Sequence, residues 1–247
     1  DHLFARELTR RYRASSKYSS TTDLAFQSLC GGFPENPGEF CYKFSWSPLG
    51  VLRALKNKAR YIKDSEIKET QYPWKALFGF EYQGQEFEAY PNRDSVPYLE
   101  EYGFNPEGKG VREFIRGTLR PKGWSKAWEK IFDRVENGTD LELANLSEDL
   151  WAKYSYSEKE KDRVLLYVGL KAYEGEKLVW SDSMALNEYG LGKHTAMART
   201  VSLPASFAVD SIVQGRAPIG VTGAPLESSE AQEWFKLLGQ NDIAVRA

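Results

Sequence analysis

At 247 residues, with 41% hydrophobic and 28% charged residues, the chain can bury a substantial core as one large domain or two small ones. Its net charge of −2 gives no electrostatic case for nucleic acid or an anionic membrane, and no apolar run reaches the length of a membrane span. The two cysteines, Cys30 and Cys41, are too few for a disulfide scaffold; with no signal peptide pattern, reduced thiols in a cytoplasmic protein are the simplest reading.

Phe4, Leu8 and Tyr12 fall four apart and predict a helix over 2–13 capped by Asp1. Leu24 to Leu29 reads as a strand. It is expected to end in a Cys30-Gly31-Gly32-Phe33-Pro34 turn, whose bare backbone would let a ligand approach. Ser47 as N-cap and Pro48 at the first helical position start a second helix, with Leu49, Leu52, Leu55 and Ala59 inward. Residues 60–75 hold a strand or two, and Leu77 to Tyr82 with Phe87 to Tyr90 form a hairpin about Gln83-Gly84-Gln85. Tyr90-Pro91-Asn92-Arg93-Asp94-Ser95 is a turn, and Arg116-Gly117-Thr118-Leu119-Arg120 is strand-like with an arginine at each end.

Trp124, Trp128, Ile131 and Val135 then follow helical spacing, and Ser147 is expected to cap a second helix carrying Leu150, Trp151 and Tyr154. Residues 121–158 are therefore read as a small helical insert whose tryptophans pack. Residues 163–173 and 177–186 make a hairpin about Glu174-Gly175-Glu176-Lys177. Thr195 to Ser202 is read as one helix and Pro204 as the start of another, with Phe207, Val209, Ile212 and Val213 apolar and Gly215 closing it. Val221 and its neighbours read as a strand, Ser228 as the cap of a helix with Trp234, Leu237 and Leu238, and Ile243 to Val245 as a last strand.

The chemistry legible from residue types is limited. Two histidines far apart and no paired cysteine spacing give no metal site. There is no G-x-S-x-G elbow for a hydrolase, and no G-x-G-x-x-G or P-loop for a nucleotide. Cys30 beside two glycines is either an inert thiol or a group that touches substrate or donates a proton. Arg93 in the turn and Arg116 and Arg120 at the ends of the strand-like piece each read first as a surface ion pair; two such rigid donor forks from separate elements could hold a ligand with several carboxylates. The residues alone stop at an α/β protein with a polar, arginine-bearing site.

Four segments carry a resemblance: Cys30 to Pro34, Tyr42-Lys43-Phe44-Ser45-Trp46-Ser47-Pro48-Leu49-Gly50-Val51-Leu52, Tyr90 to Ser95, and Arg116 to Arg120. In this order they resemble the glutamate-forming saccharopine dehydrogenases, also called saccharopine reductases. Asp1-His2-Leu3-Phe4-Ala5 resembles the end of that family's D-P-G-x-D-H segment, and Thr195-Ala196-Met197-Ala198-Arg199 a segment near its C-terminus. The sequence departs from the pattern in having Phe33 where leucine is usual.

The resemblance implies an α/β (α+β) substrate domain built on a mixed, largely antiparallel sheet with helices on one face. Residues 1–120 and 159–187 would form it, 121–158 would be the insert, and 188–247 would return to a nucleotide-binding Rossmann domain that this chain lacks. It implies an NADP-dependent oxidoreductase interconverting saccharopine with glutamate and aminoadipate semialdehyde, in the cytoplasm and as a homodimer. By resemblance Cys30 is catalytic, and Gly31, Gly32, Phe33, Arg93, Thr118, Leu119 and Arg120 bind the polycarboxylate amino-acid substrate. Ser47 contacts the cofactor, and no metal is used. The alternatives are an oxidoreductase acting on another secondary-amine dicarboxylate, such as carboxynorspermidine, and a non-catalytic binding or dimerisation module.

Overall fold

The structure, a computed structural model, describes residues 1–221, 223–225 and 227–246. Among them nine strands form one sheet. The central strand β1 (Asp23–Pro34) lies between β6 (Val111–Pro121), which runs parallel to it, and β7 (Asp162–Glu174), which runs antiparallel. β8 (Lys177–Tyr189) and then β9 (Val245–Arg246) continue beyond β7. On its other edge β6 is shared: β2 (Ala59–Lys63) and its hairpin partner β3 (Glu66–Thr70) meet one half, while β5 (Gln85–Pro91) and its partner β4 (Phe78–Tyr82) pair with the other. The β1–β6 pair is the parallel element in a mixed, largely antiparallel sheet.

Alternation along the strands sorts side chains onto two faces. Phe26, Phe114, Val164, Val168, Leu170 and Leu186 point to the face where α1 (His2–Ala14) lays Phe4, Ala5, Leu8 and Tyr12. Helices α7 (Ala196–Val213) and α8 (Ser228–Gln240) cover the same face through Ala196, Phe207 and Leu238. Burying each large side chain contributes about 1.5–3 kcal/mol relative to leaving it exposed. On the opposite face Leu29, Phe33, Phe87, Ala89, Leu119 and Leu165 form a separate cluster, closed by Phe78, Phe80 and Tyr82 of the β4–β5 hairpin.

The short helices α3 (Tyr98–Glu101) and α4 (Trp124–Ala127), with α5 (Glu129–Asn137) and α6 (Asp140–Tyr154), follow β5 and β6. α4 to α6 pack with α2 (Pro48–Lys56) in a third cluster that holds Trp124, Trp128, Phe132 and Leu146. Helix α2 starts at Ser47, whose Oγ accepts from the Gly50 N–H at 3.3 Å, with Pro48 in its first turn.

Several sequence expectations are corrected. Cys30 to Pro34 is no turn. It continues β1, paired residue for residue from Cys30–Leu166 to Pro34–Asp162. Its glycines serve packing: an added Cβ on Gly31 would overlap the Leu119 carbonyl of the neighbouring strand. Ser147 lies inside α6, which Thr139 caps instead. The Thr139 hydroxyl accepts from the Glu142 N–H and the Glu142 carboxylate accepts from the Thr139 N–H at 2.7 Å, a reciprocal capping box. Thr139→Ala is therefore expected to lower stability by about 1 kcal/mol in chemical denaturation, whereas Ser147→Ala leaves it unchanged.

Pro204 lies within the continuous helix α7 rather than opening a new one. Ala196 before it and Phe207 after it are both buried, and that anchoring offsets the hydrogen bond the proline removes. Ala59 belongs to β2 rather than α2. Val221 is fully exposed outside any strand, and its neighbour Thr222 lies outside the described residues. Within residues 188–247, α7 and α8 pack on the helix-covered face and β9 joins the sheet edge. In α7, Val201, Val209, Ile212 and Val213 remain exposed.

Candidate functional site

Register brings four sequence-selected residues together with a tyrosine. Tyr90 of β5 lies opposite Thr118 of β6, Thr118 beside Cys30 of β1, and Cys30 opposite Leu166 of β7. This row crosses the helix-covered face at one strand spacing, about 4.8 Å, per step. Arg120 and Arg116 stand two residues either side of Thr118 on the same face, and Gly32 is two residues beyond Cys30.

Arg120 is the site's unusual group. It is 7% exposed, and among the described residues it forms no ion pair with a carboxylate. Its guanidinium faces three aromatic rings instead: Tyr42 at 4.8 Å, Trp124 at 5.4 Å and Tyr90 at 5.6 Å. One guanidinium nitrogen donates to the Leu119 carbonyl at 3.1 Å, and Nε has no partner. Glu88, directly opposite in the β-ladder, is engaged elsewhere: its carboxylate accepts from the N–H groups of Gly123 and Ser125 at 3.0 and 2.7 Å. The aromatic faces hold the cation and partly replace water, but they supply no counter-charge. Burial pushes the Tyr90 hydroxyl above its ordinary pKa, an effect that the adjacent Arg120 charge opposes.

Arg116 differs in kind. It lies 3.7 Å over the Tyr98 ring and donates to Asp1 at 2.6 Å, so it already has its carboxylate. Asp1 also accepts from the His2 N–H as the cap of α1.

Cys30 opens onto a cavity of about 360 Å³ between the sheet, α1, α7 and α8, lined by Gly32, Leu166, Met197, Trp234 and, at its polar end, Asp1 and His2. The thiol has solvent-accessible surface inside this recess, yet the surrounding walls strip most of its water. Burial therefore pushes its pKa up, with the Arg120 charge acting the other way. Cys30 is thus a protonated thiol at neutral pH, capable of donating but not a standing nucleophile.

Burial also depresses His2 to about 4 from 6.5, against the opposing pull of Glu101 at 3.0 Å. The folded state binds this proton less readily than the unfolded chain. Its contribution is present above pH 6.5 and is lost as pH falls towards 4. Melting temperature is expected to drop across that window in the unsubstituted chain, and less in His2→Gln.

The other selected residues are separated from this row. Phe33 and Leu119 point to the opposite face and are buried with Phe87 and Leu165, and Gly31 has the same orientation. A strand exposes alternate residues, so a consecutive motif cannot line one pocket with every side chain. Arg93 is exposed in the turn after β5, with a left-handed φ of 56°. Neither Arg93 nor Arg120 lines the Cys30 cavity. Ser47 Oγ is engaged in capping α2, and the Trp46 indole lies against Gly50, where an added Cβ would overlap it. Among the described residues no strand-to-helix turn carries the G-x-G-x-x-G spacing.

Sequence reading missed Tyr42, Tyr90 and Trp124 as the walls around Arg120, because their proximity depends on cross-strand register and on the insert folding back. It also missed the Arg116–Asp1 pair. The one available signal was the recurrence of aromatic residues in the same motifs as the arginines.

The fold and this face define an open-sheet α/β domain presenting a buried arginine with no counter-ion among the described residues. The chain belongs to the saccharopine dehydrogenase C-terminal domain family, which it matches over residues 1–241. It is 34% identical over 198 residues to a saccharopine dehydrogenase [NADP(+), L-glutamate-forming] of Saccharomyces cerevisiae, an alignment covering 75% of this chain and 39% of that protein. It is 38% identical over 141 residues to the protein of the same description in Pyricularia oryzae, covering 54% and 29%. It is also 35% identical over 136 residues to the mitochondrial alpha-aminoadipic semialdehyde synthase of Mus musculus, covering 51% and 14%. In fold it resembles the apo saccharopine dehydrogenase (L-Glu forming) of Saccharomyces cerevisiae, with a TM-score of 0.74 at 21% identity over all of this chain and 71% of that one. The chain spans well under half the length of the curated relatives it matches. These relatives place it in an oxidoreductase family of lysine metabolism. No described helix is long and apolar enough to cross a membrane.

Proposed function

We propose that this chain is the substrate-binding portion of an NADP-dependent oxidoreductase interconverting saccharopine with L-glutamate and 2-aminoadipate 6-semialdehyde. The observation that carries the reading is Arg120: a permanent charge, 7% exposed, held by three aromatic rings with no carboxylate partner among the described residues. Leaving such a cation unpaired is costly, and a ligand carboxylate removes the cost. Saccharopine, with three carboxylates, is suited to such a face. Arg120 anchors one, and the exposed Arg93 is the candidate for another.

Between them the Thr118–Cys30 row would lie beneath the reacting C–N bond, with the Cys30 thiol as proton donor. NADP would supply or accept the hydride from outside this chain, consistent with the names of the relatives; this chain's residues bind, orient and protonate. The test is saccharopine-dependent NADP reduction by the chain joined to the nucleotide-binding part of a fungal relative. Activity should appear with saccharopine, and Cys30→Ser should lower kcat more than it raises KM. Equal turnover with and without the Cys30 substitution would remove Cys30 from the chemistry.

A further inference from the structure

We infer that Trp124 is itself a ligand-binding residue: its indole N–H and the Nε–H of Arg120 donate to the same substrate carboxylate. The inference rests on the reading of Arg120 as a substrate anchor and extends the site into the helical insert. Trp124 is fully buried, yet its Nε1 has no acceptor, and the Nε of Arg120 also has none. The two groups are neighbours, with the guanidinium carbon 5.4 Å from the indole ring centre. Unpartnered buried donors are uncommon, and two on neighbouring side chains can be met together by one shared acceptor. A carboxylate has two oxygens, each accepting at about 2.9 Å, and so can serve two donors at once.

The insert's other buried tryptophan is the control. Trp128, one helical turn on, is equally buried, and its indole N–H donates to the Phe40 carbonyl at 3.1 Å. A packing tryptophan in this cluster therefore finds an acceptor, whereas Trp124 does not. Trp124 is also placed with some precision. The Glu88 carboxylate accepts from the backbone N–H groups of residues 123 and 125, on either side of it, and Tyr90 stacks on its ring at 5.2 Å. That engagement makes Glu88 unsuitable as the missing acceptor, although it is opposite Arg120 in the ladder. A buried water is the rival acceptor, and it predicts a different response to ligand.

The experiment is a saccharopine titration of the ¹⁵N-labelled chain, following the indole N–H signals. The Trp124 signal is the one missing from Trp124→Phe. It is expected to move downfield and become slow to exchange with solvent as saccharopine binds. Trp124→Phe keeps the ring and should weaken saccharopine binding about 10- to 100-fold, the range for a hydrogen bond to a charged acceptor. Its melting temperature should stay near that of the parent chain. The signal is read on the unsubstituted chain and can be assigned by through-bond spectra, so it decides the matter even if the variant fails to fold. Saccharopine binding with a stationary Trp124 signal, or undiminished in Trp124→Phe, overturns this inference alone. No saccharopine binding by the parent chain overturns the reading of Arg120 and this inference together.

Discussion

Replacing Arg120 with methionine is expected to leave the melting temperature unchanged or to raise it, while weakening saccharopine binding by about 2–5 kcal/mol, roughly 30- to several-thousand-fold. The two effects separate because of what surrounds the guanidinium. A structural arginine leaves an orphaned carboxylate when removed, and the fold loses stability. Among the described residues Arg120 has no carboxylate to orphan. Its neighbours are the faces of Tyr42, Tyr90 and Trp124 and the Leu119 carbonyl, and a methionine stem of similar reach can pack among them. Arg116→Met should behave in the opposite way, because it strands Asp1 at the cap of α1. Thermal melts of the two variants, side by side, compare an arginine kept for a ligand with one kept for the fold.

Gly31→Ala is expected to destabilise the chain by about 3 kcal/mol, whereas Gly32→Ala costs much less. The added Cβ at Gly31 would overlap the backbone oxygen of Leu119 and come within 2.9 Å of its Cβ, so relief requires moving β6 away from β1 at the centre of the sheet. At Gly32 the new methyl group would meet only the terminal methyl of Met197, which can change rotamer. Urea denaturation of both variants checks this. Equal losses would contradict the assignment of Gly31 to strand packing. Because Gly32 lines the Cys30 cavity, its substitution should instead be felt as a change in ligand affinity.

Much of the fold was legible because its signals are local. The four-residue spacing of Phe4, Leu8 and Tyr12, the Ser47-Pro48 start and the Glu174–Lys177 hairpin each depend on nearby residues, and each is found in the structure. The Cys30 to Pro34 segment misled because paired glycines favour turns locally. In this fold a long-range parallel pairing, Cys30 with Thr118, requires a residue without a side chain on the next position. The Thr139–Glu142 capping box is present in the sequence as T-x-x-E, a local signal that competes with the one at Ser147. Pro204 suggests a helix start because its cost is local, while the burial that overrides it is tertiary.

The site was legible only in part for a related reason. Motif reading treats Thr118, Leu119 and Arg120 as one patch, whereas the strand turns Leu119 to the opposite core. What the motif could not reveal was that Arg120 would be buried and left without a counter-ion, a property created by residues 30 and 78 positions away in sequence, Tyr90 and Tyr42, together with the nearby Trp124.

The central claim, that Arg120 is held in readiness for a substrate carboxylate, is tested most directly by calorimetric titration of saccharopine into the 247-residue chain and into its Arg120→Met variant. The account predicts binding to the parent chain that weakens with added salt and is reduced at least 30-fold in the variant. Indistinguishable affinities for the two chains, with both folded, would contradict it.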